Sequence, residues 1–220
     1  MGYYPIYLDL QGRSCVMIGS GHEVDRKVQD LIAGGAHVTC ITPHPSPFME
    51  KAAAAEQITL QRRDYQAGDL AGVFLAIAAT TRDRALSERI ATEARVEKVL
   101  LNVMDVTDLC VWIAPAIVRR GDLSVAISTS GRSPAMARFV KNEIEAALSP
   151  EHEALLDIVA DVRSELRRRK VSVDAEAWQH VLESRVLEER LDVGDREGAR
   201  ALLLSALTSQ HRPSAEGHRG

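Results

Sequence analysis

The chain has 220 residues, 45% of them hydrophobic and 4% aromatic, and a formal net charge of −4. That fits one large or two small globular domains with a core of aliphatic side chains and alanine. So small a charge points to neither a nucleic-acid nor a membrane partner, and no apolar run reaches the ~18 residues of a spanning helix. Met1-Gly2-Tyr3-Tyr4-Pro5 lacks the basic start and long apolar stretch of a secretory signal. Ile6 stands where myristoylation of Gly2 needs Ser or Thr. Cys15, Cys40 and Cys110 are odd in number and dispersed, which reads as reduced thiols in a cytoplasmic protein. Cys15 and Cys40 lie in apolar runs and are expected in the core.

Strand-like and helix-like segments alternate through the first part. Ser14 to Ile18 reads as a strand, Val24 to Ala33 as a helix stopped by Gly34-Gly35, and Ala36 to Thr42 as a second strand. A helix is predicted over Phe48 to Glu56 and a short strand over Ile58 to Arg62. Val73 to Ala79 and Val99 to Val103 are continuous apolar runs, as in strands buried on both faces, with a helix over Asp83 to Arg95 between them. The alternation predicts an α/β fold with a parallel sheet covered on both sides. After Asp105 the pattern changes. Val111 to Val118 and Leu123 to Ser128 read as strands joined in a tight return at Arg119-Arg120-Gly121-Asp122. Ser130-Gly131-Arg132-Ser133-Pro134 is a polar loop, and Pro134 to Leu148 an amphipathic helix with proline in its first turn. From Glu151 to Leu207 only helices are predicted. Leu155, Ile158, Val159, Val162 and Leu166 form one periodic run, Trp178, Val181, Leu182 and Val186 another, with a last short helix over Arg200 to Leu207. Thr208 to Gly220 is polar and expected to be disordered.

Gly19-Ser20-Gly21-His22-Glu23-Val24 follows the first strand and opens a helix, the context in which a glycine turn binds a dinucleotide. Gly19 permits the tight turn, Gly21 lets the backbone approach a pyrophosphate, and the helix N-terminus offers N–H groups and partial positive charge. Ser20, His22 and Glu23 are then cofactor neighbours. Two positions depart from the fingerprint. Val24 fills the third glycine position. Thr42-Pro43-His44 ends the second strand, where Asp or Glu for a ribose hydroxyl is expected, so backbone groups near Pro43 and His44 take that role. With no nearby arginine for a 2′-phosphate, the expected cofactor is NAD. Thr80 and Thr81, ending the third apolar run, are expected to border the nicotinamide or ribose.

Asp105 lies just past the C-terminal end of a predicted strand, where open α/β sheets place their ligands, and Asp108 is its runner-up. Arg119, Arg120, Arg132, Arg138 and Lys141 cluster in and after the central segment. Ser128, Thr129, Ser130 and Ser133 form a second polar cluster, in which a serine N-cap for the next helix is expected. Arg167-Arg168-Arg169-Lys170 reads as a solvated helix end. The histidines and cysteines show no HxxxH or CxxC spacing, so no resident metal is expected. The Tyr-x-x-x-Lys pair of short-chain oxidoreductases is missing.

Gly19-Ser20-Gly21 with Arg26-Lys27, Leu75-Ala76-Ile77-Ala78-Ala79-Thr80, Asn102-Val103-Met104-Asp105, Pro115-Ala116-Ile117-Val118-Arg119 and Ser128-Thr129-Ser130-Gly131-Arg132-Ser133-Pro134 occur in this order, after an opening Tyr4-Pro5-Ile6-Tyr7-Leu8. Together, over about residues 3 to 165, they resemble the precorrin-2 dehydrogenase/sirohydrochlorin ferrochelatase family, the N-terminal module of siroheme synthase, in its stand-alone form. The resemblance implies a Rossmann domain (1–112), a central dimerisation and substrate segment with extra strands (113–149), a helical C-terminal domain (150–208) and a tail (209–220), assembled as a homodimer. It implies oxidation of precorrin-2 to sirohydrochlorin with NAD, and in many members insertion of ferrous iron, a substrate, to give siroheme. Asp105 matches the family's proposed general base for both steps, and a phosphorylatable serine falls near Ser128 or Thr129. A tetrapyrrole with eight carboxylates calls for cations and hydrogen-bond donors, which Arg119, Arg120, Ser128, Arg132, Ser133 and Arg138 are expected to supply. The competing expectation from the glycine turn alone is a dinucleotide-sensing module without catalysis.

Overall fold

The computed structural model describes residues 3–80 and 82–209. Gly2, Thr81 and the tail from residue 210 lie outside the described residues, whereas Thr208 and Ser209, expected in the tail, still belong to the last helix. Contacts divide the chain into two units. The first runs to Ala114 and includes Ser130–Arg132; the second comprises Pro115–Thr129 and the chain from Ser133.

The first unit alternates β1 (Ser14–Ile18), α1 (His22–Ala33), β2 (His37–Ile41), α2 (Pro47–Ala54), β3 (Ile58–Gln61), β4 (Leu75–Ala78), α3 (Arg84–Glu97) and β5 (Leu100–Val103). The strands form a parallel sheet in the order β3-β2-β1-β4-β5. Side chains alternate across a strand, so Cys15 and Met17 pack with Val24, Val28 and Leu31 of α1 and Met49 of α2 on one face. Val16 and Ile18 pack with Ile90, Ala91 and Ala94 of α3 on the other. Both faces are covered, which is why β4 is Leu-Ala-Ile-Ala with every residue buried. The helix starts follow local chemistry. Ser46 Oγ accepts from Met49 N–H at 3.1 Å with proline next in sequence, and Asp83 Oδ1 accepts from Leu86 N–H at 2.9 Å.

The connection from β3 to β4 carries no helix. Its Tyr65 and Leu70 are buried in the core where a crossover helix would sit, and two carboxylates hold the loop in shape. Glu93 of α3 accepts from Gly68 and Leu70 N–H at 3.0 and 2.8 Å and from the Tyr65 hydroxyl. Asp69 accepts two bonds from the Arg63 guanidinium, at 2.7 and 2.6 Å, and one from Gln66 N–H at 2.7 Å.

The second unit opens with the antiparallel pair β6 (Ala116–Arg120) and β7 (Leu123–Ile127), joined through Gly121 at φ +54°. It continues with α4 (Pro134–Ala147), α5 (Glu151–Arg168), α6 (Ala175–Glu183), α7 (Val186–Asp192) and α8 (Arg196–Ser209). Ile158, Val162 and Leu166 of α5 form its core with Val181, Leu187, Leu191, Ala199, Leu203 and Leu207. Two expectations need correction. The strand expected from Val111 begins only at Ala116. Residues 111–112 are instead held against β5, Val111 N–H donating to Leu101 O at 2.9 Å and Trp112 Nε1 to Leu100 O at 3.1 Å, and Pro115 has no N–H to give a ladder. The periodic run from Trp178 to Val186 is two helices, because Ser184 Oγ donates to Val181 O at 2.6 Å and Arg185 turns at φ +55°. The run Arg167 to Lys170 is an exposed helix end, with Arg169 paired to Glu165.

Candidate active site

In a parallel sheet of order 3-2-1-4-5 the chain leaves in opposite directions from β1 and β4, and ligands lie beyond the C-terminal ends of the strands at that switch point. Gly19 follows β1 there. It has φ +102°, its N–H donates to Ile41 O at 2.9 Å, and an added Cβ would stand 3.0 Å from Ala79 O beyond β4. Only glycine fits between the two strand ends. Gly21 is the N-cap of α1 at φ +137°, no side chain caps the helix, and nothing lies within 4 Å of where its Cβ would be. The helical ladder begins with Asp25 N–H to Gly21 O at 2.9 Å, so the preceding N–H groups of His22, Glu23 and Val24 have no carbonyl partner within the helix. Ser20 is half-buried, and His22 and Glu23 are exposed, Glu23 pairing with Arg26 at 3.2 Å. Val24 is buried against the sheet. An uncapped helix start behind a glycine turn fits a pyrophosphate.

Pro43 and His44 are exposed after β2, where His44 N–H donates to Thr42 Oγ1 at 3.2 Å. A carboxylate reaches this loop from elsewhere, as Ser46 Oγ donates to Asp25 Oδ1 of α1 at 2.7 Å. Asp25 is not among the expected cofactor neighbours, because the fingerprint looks for acid at the end of the second strand. Thr80 is buried, its Oγ1 lying 2.8 Å from Ser87 Oγ. Its hydroxyl and its carbonyl both serve the β4–α3 turn, Thr80 O accepting from Asp83 N–H at 2.8 Å and from Ser87 Oγ at 3.0 Å.

Asp105 is exposed in the turn after β5 at φ +61°, a left-handed conformation that aspartate tolerates better than most residues. Among the described residues its carboxylate makes no hydrogen bond or ion pair, unlike that of its neighbour. Asp108, three residues on, is taken by Arg84 through two bonds at 3.2 and 2.6 Å, and this guanidinium holds its carboxyl below the usual range. Gly131 of the polar loop belongs to the same unit, and an added Cβ there would lie 3.7 Å from Thr107 Cγ2. The fold thus brings the loop carrying exposed Arg132 to the turn that follows Asp105.

The other expected substrate residues lie in the second unit. Arg119, Ser128 and Arg138 are exposed. Arg120 is engaged inside its unit, contrary to the expectation of a cation offered to substrate. It donates to the carbonyls of Leu148 at 2.9 Å and Glu145 at 3.2 Å, closing the C-terminus of α4. Ser133 Oγ accepts from Met136 N–H at 3.1 Å as the N-cap of α4, and Thr129 Oγ1 accepts from Ser133 N–H at 3.2 Å. Cys15 and Cys40 are buried, their thiols pushed up to about 11 and about 12, chiefly by burial, and all three cysteines are free. Among the described residues no three His, Cys, Asp or Glu side chains could hold a metal ion together, and no helix is long and apolar enough to cross a membrane.

Sheet order and glycine turn together define a Rossmann protein that holds a dinucleotide. A family model described as putative NAD(P)-binding matches residues 6–116, and one described as sirohaem biosynthesis protein central matches 120–147. Siroheme synthase of Methylococcus capsulatus is 35% identical over 219 residues, covering 97% of this chain and 46% of that protein. Siroheme synthase of Photobacterium profundum is 31% identical over 218 residues, with 98% and 46% covered. The chain therefore spans about half the length of the curated relatives it matches. A solved structure titled "SirC, precorrin-2 dehydrogenase" shares the fold with a TM-score of 0.70 at 23% identity, over 92% of this chain and 100% of that one. The chain belongs to the putative NAD(P)-binding family found as a module of siroheme synthases, and the cofactor of its first unit is a nicotinamide dinucleotide.

Proposed function

We propose that the protein oxidises precorrin-2 to sirohydrochlorin with NAD. The observation that carries this reading is the exposed carboxylate of Asp105, in a left-handed turn after β5, at the same sheet edge as the glycine turn after β1. The oxidation removes a hydride and a proton from the macrocycle. NAD, when bound, supplies the hydride acceptor. Asp105 takes the proton, as general base, which a carboxylate held at hydrogen-bonding distance does at neutral pH. The N–H groups at the start of α1 hold the pyrophosphate, and Gly19 and Gly21 keep side chains out of its way. Exposed Arg132, on the loop that reaches the turn after Asp105, offers a guanidinium fork for a carboxylate of the tetrapyrrole. The same carboxylate is a base for the pyrrole N–H protons that ferrous iron displaces, so chelation is assayed alongside.

A homodimer and a reducing compartment belong to the same reading. Tyr4 (86%), Ile6 (62%) and Tyr7 (72%) of the first unit and Met136 (49%) and Phe139 (55%) of the second are exposed, apolar surface that a second copy would cover. Three free thiols suit the cytoplasm.

The test is incubation of purified protein with precorrin-2 and NAD, following NADH and sirohydrochlorin absorbance. Asp105→Asn keeps the left-handed turn and removes the base. It is expected to lower kcat by about 10²–10⁴-fold while NADH binds unchanged. No turnover by the wild type overturns the function and favours the sensing module. Turnover retained in Asp105→Asn overturns the role of that residue.

A further inference from the structure

The end of β2 lacks the acidic residue that selects NAD in most Rossmann sites, yet a carboxylate is held there. Asp25 sits in the first turn of α1, half-buried, and Ser46 Oγ donates to its Oδ1 at 2.7 Å. Ser46 is fixed in turn, because its Oγ also accepts from Met49 N–H at 3.1 Å as the N-cap of α2. A hydroxyl has one proton and two lone pairs; here the proton goes to Asp25 and a lone pair to the helix. Asp25 is also near enough to the penultimate residue of β2 for its charge, after burial, to raise the Cys40 thiol.

Three neighbouring charges are already paired. Arg62 and Arg63 follow β3, the strand beside β2, and are the guanidiniums best placed in sequence for a 2′-phosphate. Arg62 is paired with Glu50 through bonds at 3.2 and 2.5 Å, and Arg63 with Asp69 at 2.7 and 2.6 Å. Glu23, the other acidic residue at the start of α1, is exposed and paired with Arg26.

Resting on the dinucleotide reading of the glycine turn, we infer that Asp25, positioned by Ser46, is the residue that selects NAD over NADP. It replaces the missing strand carboxylate from the neighbouring helix. Its second oxygen accepts from the ribose 2′-hydroxyl, and its charge repels a 2′-phosphate. Asp25 touches the cofactor; Ser46 is a positioning residue.

The test is binding, with no turnover needed. The full chain is titrated with NADH and with NADPH, following nicotinamide fluorescence, as wild type, Asp25→Asn and Ser46→Ala. The wild type is expected to bind NADH at least about tenfold more tightly than NADPH, a factor equal to ~1.4 kcal/mol. Asp25→Asn should bring the ratio to about threefold or less, mainly by tightening NADPH. Ser46→Ala, which keeps the charge but frees it, should give an intermediate ratio. A merely structural role would lower melting temperature and weaken both dinucleotides together, leaving the ratio unchanged, and that result overturns the inference. Equal binding of NADH and NADPH by the wild type overturns it also. Binding of neither overturns the dinucleotide reading on which it rests, whereas tight NADH binding without precorrin-2 oxidation leaves the selectivity measurable and fails only the catalytic reading.

Discussion

The two glycines of the turn should fail in different ways when a methyl group is added. At Gly21 the backbone lies at φ +137°, ψ 168°, a region nearly confined to glycine, so alanine costs about 1–3 kcal/mol of strain. No atom lies within 4 Å of the new Cβ, so steric overlap adds nothing. At Gly19 a comparable strain at φ +102° is joined by contacts of 3.0 Å to Ala79 O and 3.2 Å to Ala79 Cβ. Backbone oxygen cannot rotate away, and overpacking of this kind adds about 1–3 kcal/mol. Gly19→Ala should therefore cost about 2–6 kcal/mol, a large part of a domain's ordinary stability. Gly21→Ala should fold, yet bind NADH at least about tenfold more weakly, because its methyl group occupies the space before the helix N-terminus. The chain has two tryptophans, and Trp112 and Trp178 fall in different units. In a Trp178→Phe background, urea unfolding followed by Trp112 fluorescence reports the first unit alone, and NADH titration reports the site. Equal stability losses in the two variants, or full NADH affinity in Gly21→Ala, would refute the argument.

Other outcomes follow from the same structure. Burial alone would raise the Asp69 carboxyl, but the Arg63 and Gln66 hydrogen bonds outweigh it and hold it below the usual value. A depressed carboxyl stabilises the fold above its unfolded pKa of ~3.9 and loses that contribution as pH falls through the folded value. The urea midpoint of the first unit should fall below about pH 4, with a shallower fall in Asp69→Asn; an identical pH profile in the two proteins would contradict this. Leu203 is fully buried among the helices of the second unit, so Leu203→Ala should cost about 2–5 kcal/mol, read from unfolding followed by Trp178 in a Trp112→Phe background. Cys15 and Cys40, buried and shifted upward, should resist a thiol reagent at pH 8 in the native protein and react on unfolding; rapid native labelling of either, located by mass spectrometry, would contradict their burial.

Period and punctuation in the sequence were enough to place the strands and helices of the first unit to within a few residues. The apolar runs at Leu75 to Ala78 and Leu100 to Val103 can be satisfied only inside a covered parallel sheet, and Gly19 marks a turn where an added Cβ would meet the backbone of Ala79. Asp105 was legible for the same reason, since a polar residue ending a buried strand stands at the sheet's edge. Local pattern could not say which partners each polar group would find. Arg120 reads as a spare cation, yet it closes the end of α4 through carbonyls 25 and 28 residues away. Thr80 reads as a cofactor neighbour, yet its hydroxyl meets Ser87. Asp108 resembles Asp105 in sequence, and only the approach of Arg84 from α3 separates them. Asp25 and Ser46 are 21 residues apart and meet because α1 and α2 cover the same face of the sheet. Backbone conformation is written in near neighbours, which the sequence displays; hydrogen bonds and ion pairs between distant residues depend on how the elements pack, and only the tertiary structure decided those.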